Sequence, residues 1–131
     1  MAKILVVDDS KFVVTALTAA LGSFGHAVVA HGADGNEGFA LYKEHQPDLT
    51  LLDITMPNRD GRDCLIDIVQ HDPNAKVIMI SAIKEQDIVD FCMQQGAQGF
   101  IQKPLQIANA DYMDNFSNTI DQVLGSEQAL S

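Results

Sequence analysis

No tryptophan occurs in this chain, cysteine appears twice, and eight lysines and arginines face eighteen aspartates and glutamates. Each shortage excludes something. A formal charge of −10 leaves none of the clustered basic residues that nucleic acid or an anionic membrane surface demands, so neither is expected as a partner. Cys64 and Cys92 fall in helix-like segments without close spacing, which argues against a disulfide framework and against a zinc site. No stretch approaches the roughly 20 apolar residues of a membrane span. The opening Met-Ala-Lys-Ile-Leu-Val-Val runs straight into a strand pattern, so no signal peptide is expected, and a reducing cytoplasm is the expected compartment. His26, His31, His45 and His71 are not at ligand spacing and are expected on the surface or in loops. A Gly-rich loop ending in Gly-Lys-Ser/Thr is missing too, so phosphate cradling by a P-loop is not supported.

What the chain does have is a strict alternation. Apolar runs at residues 3–7, 26–30, 49–52, 76–80 and 99–102 are short and near-continuous, the signature of strands buried on both faces. Between them, residues 10–21, 34–43, 62–71, 85–95 and 111–124 carry helical periodicity, with Gly22, Pro73 and Gly96 as expected stops. This pattern predicts an α/β fold: a doubly wound, five-stranded parallel sheet in a flavodoxin-like (βα)5 sandwich. At 131 residues it is read as one domain over 1–125, a short polar tail over 126–131, and no output domain.

The polar residues that interrupt the strands do so at their carboxyl ends: Asp8 and Asp9, Asp53, Ser81, and Lys103. In open α/β sheets that edge is where ligands bind, at the point where strand order reverses. The second strand contributes nothing there, which predicts the order 2-1-3-4-5. Three converging carboxylates repel, so they call for a cation or for one of them to hold a proton. A hard ion such as Mg²⁺ suits an all-oxygen site, while a lysine and a hydroxyl across the crevice suit a multi-oxygen anion. Together they describe phosphoryl transfer, with Asp53 as the candidate acceptor through an acyl phosphate. Plainer roles stay open: Asp8 and Asp9 as helix caps, Ser81 as cap of the fourth helix, Phe100 as core.

Val-Val-Asp-Asp-Ser (Val6–Ser10), Leu-Leu-Asp-Ile-Thr-Met-Pro (Leu51–Pro57) with Asp60-Gly61, Ile-Ser-Ala (Ile80–Ala82) and Lys103-Pro104 stand in that order. With these pieces the chain resembles a stand-alone, chemotaxis-type response-regulator receiver domain of two-component signalling. The resemblance implies Asp53 as phosphoacceptor, with Asp8, Asp9, Asp53 and the main-chain carbonyl of Thr55 around Mg²⁺. It implies that Ser81, Ala82 and Lys103 bind the phosphoryl group, and that Ser81 and Phe100 act as switch residues. Thr55 and Ile83 would flank the path of an attacking water, with Ile83 screening it. The implied partners are a histidine kinase or phosphotransfer protein and a downstream protein docking on the face of the fourth helix, fifth strand and fifth helix. The implied protein is a phosphoacceptor and not an enzyme, monomeric or dimerising on phosphorylation. A second reading is a Mg²⁺-dependent phosphohydrolase with an aspartyl-phosphate intermediate, which wants a second acid where Thr55 stands.

Overall fold

A computed structural model describes residues 2–125; the polar tail expected from 126 onward lies outside them. Five strands alternate with five helices: β1 (Lys3–Val7), α1 (Lys11–Ser23), β2 (Ala27–Gly32), α2 (Gly35–His45), β3 (Leu49–Asp53), α3 (Gly61–His71), β4 (Val77–Ser81), α4 (Gln86–Gln94), β5 (Gly99–Gln102) and α5 (Ala110–Leu124). All neighbours pair in parallel and the order is β2-β1-β3-β4-β5. No helix of the described residues is long and apolar enough to cross a membrane.

Successive strand side chains point to opposite faces, and both faces are covered. Ile4, Val6, Leu51, Ile78 and Ile80 pack with Leu17 and Leu21 of α1 and with Phe116 and Ile120 of α5. Leu5, Val7, Leu52 and Met79 pack on the other side with Tyr42 of α2, Cys64, Leu65 and Ile68 of α3, and Cys92 of α4. Each large apolar side chain removed from water in this way contributes about 1.5–3 kcal/mol before entropy is counted. Both cysteines are buried and free, and burial pushes the Cys64 thiol up to about 12.

Several expectations need correction. β2 spans Ala27 to Gly32 because β1 continues to Val7 and one extra residue slips the register: Ile4 pairs with Val28 but Leu5 with Ala30, so that Val7 meets Gly32. Gly22 does not stop α1; the helix continues to Ser23, and the left-handed turn falls at Gly25, with φ 85°. His26 is buried rather than on the surface, its Nδ1 accepting the Ala2 N–H at 3.1 Å. α3 ends before Pro73 as expected, with Asp72 extended at φ −141°.

The loop from β3 to α3 is held tightly beneath the acidic edge. Gly61 N–H donates to the Ile54 carbonyl at 2.7 Å, and Asp60 caps α3 by accepting from the N–H groups of Arg62 and Asp63. A Cβ at Gly61 would collide with the Asp53 carbonyl oxygen, backbone against backbone. Gly22, by contrast, has open space where its Cβ would be. The same substitution should therefore act in opposite directions at these two sites. By urea unfolding, Gly61→Ala should lose about 1–3 kcal/mol or more through overpacking, whereas Gly22→Ala should gain roughly 0.5–1 kcal/mol through helix propensity.

Candidate phosphoryl-acceptor site

β1 and β3 are neighbours and end level, which brings the side chains at their carboxyl ends together. Carboxylate oxygens of Asp8, Asp9 and Asp53 lie within 4.8 Å of one another. Asp8 and Asp53 are buried, whereas Asp9 is exposed. The Lys103 ammonium, arriving from the end of β5, sits 2.7 Å from Asp8 Oδ2 and 3.5 Å from Asp53 Oδ1. Asp8 Oδ1 accepts the Ser10 N–H at 2.9 Å. The N-cap of α1 is Ser10, whose Oγ accepts the Val13 N–H at 3.3 Å. Neither aspartate fills the capping place that each was also offered. A cleft of about 370 Å³ opens beside the cluster, bordered by Asp8, Asp9, Lys11, His31 and Glu37.

The electrostatics follow from this crowding. Burial, and then the neighbouring Asp8 charge, push the Asp53 carboxyl up to about 6, against the opposing pull of Lys103. One ammonium does not neutralise three carboxylates. The donor set is all oxygen, is concentrated in one place and carries excess negative charge, so it fits a hard divalent cation.

Ser81 ends β4 and is buried. Its Oγ accepts the Ile83 N–H at 3.0 Å. It does not cap α4, whose N-cap, Glu85, makes no side-chain capping bond. Among the described residues, no backbone N–H donates to the Thr55 carbonyl and the Ala82 N–H has no backbone acceptor. Phe100 is half-buried on β5, packed against the core beneath α4 together with Ile83 and Ile88. A latch went unnoticed in the sequence: Asp34 accepts from Asn58 Nδ2 at 2.8 Å and caps α2. It pins the loop that leaves Asp53, where Asn58 takes a left-handed φ of 64°.

Residues 4–111 match the family described as response regulator receiver domain. The chain belongs to that family. This receiver is 43% identical over 104 residues to the chemotaxis protein CheY of Bacillus subtilis, a match spanning 79% of the chain and 87% of that protein. It is 42% identical over 106 residues to protein CcdB of the same organism, spanning 81% of the chain and 88% of the relative. Among solved structures it superposes, with a TM-score of 0.87 and 39% identity, on a chain of the CheX–CheY–BeF3–Mg²⁺ complex from Borrelia burgdorferi; the match covers 95% of this chain and 90% of that one. A receiver domain protein from Clostridium thermocellum gives a TM-score of 0.84 at 25% identity, with both chains fully covered.

The raised Asp53 carboxyl fixes the sign of a pH effect. Ionising it costs the folded state stability, a cost absent below its ordinary value of 3.8 and complete above about 6. In Mg²⁺-free buffer near pH ~7.5, Asp53→Asn should therefore unfold later than the native chain, by on the order of 2 kcal/mol, and the difference should fade towards pH ~4. Equal urea midpoints at both pH values would contradict the cost of ionising this buried, crowded carboxyl.

Proposed function

We propose that this receiver takes a phosphoryl group from a phosphohistidine donor onto Asp53, and that the modified chain passes the signal by docking to another protein. The observation that carries the proposal is the buried Asp53 carboxylate lying between two further carboxylates and the Lys103 ammonium. It is supported by the likeness to CheY proteins and to a CheY chain held with CheX, BeF3 and Mg²⁺.

In this reading an Asp53 oxygen attacks phosphorus; the O–P bond forms as the donor's N–P bond breaks, and the imidazole leaves with the electron pair. Asp8, Asp9, Asp53 and the Thr55 carbonyl would hold Mg²⁺, which when bound supplies positive charge against the developing phosphoryl oxygens. Lys103 turns from Asp8 to the same oxygens, a charge-assisted contact. Ser81 releases the Ile83 N–H and rotates to donate its hydroxyl, while the free Ala82 N–H adds a second donor. Withdrawing Ser81 leaves room for Phe100 to repack, and the face of α4, β5 and α5 changes with it. This is a shift between two populations, driven by the contacts that the phosphoryl group makes in one of them. A histidine kinase or phosphotransfer protein is the proposed donor, a protein docking on that face the proposed target, and the cytoplasm the proposed compartment. Two free thiols agree with a reducing setting.

Intact-mass spectrometry after incubation with acetyl phosphate and Mg²⁺ tests the chemistry. The native chain should gain one phosphoryl group, and Asp53→Asn none; an adduct that survives Asp53→Asn would overturn the assignment. Ile83 is half-buried against the core beside the site, where it screens the attacking water. Ile83→Gln should therefore shorten the lifetime of the adduct, by about tenfold for ~1.4 kcal/mol of lost barrier. An unchanged lifetime would remove Ile83 from the account.

A further inference from the structure

β5 is an edge strand, paired only with β4, and its last peptide unit is gripped from both sides. The Lys103 N–H donates to the Ser81 carbonyl at 3.0 Å. In a trans peptide the N–H and C=O point in opposite directions, so the Gln102 carbonyl of that unit faces the open edge. An unpaired edge carbonyl normally faces water. Here the Tyr112 hydroxyl reaches back from α5 and donates to it at 2.6 Å.

Tyr112 is itself held firmly. Its N–H donates to the Asn109 side chain, the N-cap of α5, at 3.0 Å, and its half-buried ring packs against the core beneath α1 and α5. A phenol is protonated at neutral pH and so donates, and burial raises this one further. A cavity of about 250 Å³, lined by Phe100, Gln102, Tyr112 and Phe116, lies alongside and leaves the ring somewhere to move. The peptide between the bonds to Ser81 and Tyr112 is therefore the one that leads directly into Lys103.

We infer that Tyr112 is a positioning residue for Lys103, and that its bond to the Gln102 carbonyl carries the state of the phosphoacceptor site to α5. This rests on the phosphoacceptor reading of Asp53. As Ser81 and Lys103 regroup around the phosphoryl group, the peptide between their bonds tilts, and the phenol on its outer side follows. In the reverse direction, the phenol holds Lys103 ready before any phosphoryl group arrives.

The test uses the full chain labelled with 3-fluorotyrosine. Its two tyrosines give two fluorine signals, assigned by Tyr112→Phe. Tyr42 donates to Asp72, just past the end of α3, and serves as the internal reference. Adding Mg²⁺ and beryllium fluoride should shift the Tyr112 signal and leave Tyr42 in place, and Asp53→Asn should abolish the shift. Tyr112→Phe removes only the hydroxyl; it should fold normally yet accept phosphoryl from acetyl phosphate about threefold or more slowly, the scale of one lost neutral hydrogen bond. Phosphorylation of the native chain with an unmoved Tyr112 signal, or with a native rate in Tyr112→Phe, would overturn this inference alone. A native chain that takes no phosphoryl group would overturn the phosphoacceptor reading and this inference with it.

Discussion

Mutual repulsion among Asp8, Asp9 and Asp53 is the interaction around which the rest of the molecule is arranged. Carboxylates crowded within 4.8 Å, two of them out of water, separate unless the backbone that carries them is fixed. Here it is fixed by two adjacent parallel strands, each buried on both faces, and by a loop packed so closely that Gly61 has no room for a side chain. Burial makes the repulsion stronger, because the same charges interact more in a low dielectric. Lys103 relieves part of it. What remains is a standing demand for positive charge at one point on the sheet edge, and that demand is the chemical capacity of the site.

The edge of the sheet beyond β4 is anchored by shorter elements. Ser81 and Lys103 end the last two strands, β5 is only four residues long, and α4 begins without a side-chain cap. Elements with fewer anchoring contacts open at lower free energy than the core strands. The acids, with the Lys103 ammonium set among them, and the buried Ser81 hydroxyl thus come from four different strand ends of one crevice.

The fold was legible almost throughout, because buried parallel strands write near-continuous apolar runs and the helices between them write a different period. Strand order followed from the one strand with no polar residue at its carboxyl end. The acids and the lysine were legible because each interrupts an apolar run. What escaped depends on contacts that no local pattern carries. The last residue of β2 pairs through a register slip against β1, and His26 is buried where its ring accepts the Ala2 N–H. The turn of Ser81 towards Ile83, and the grip of Tyr112 on Gln102, join residues through backbone geometry that hydropathy does not encode.

A calorimetric titration with Mg²⁺ near pH ~7.5 tests most directly the claim that the acidic edge is built to take a cation. The account predicts one ion bound per chain, with affinity at least about tenfold weaker in Asp9→Asn and in Asp53→Asn, a loss of ~1.4 kcal/mol or more. It also predicts that the bound ion raises the unfolding midpoint of the native chain more than that of Asp53→Asn. Absence of binding heat, or binding of equal strength in all three proteins, would contradict it.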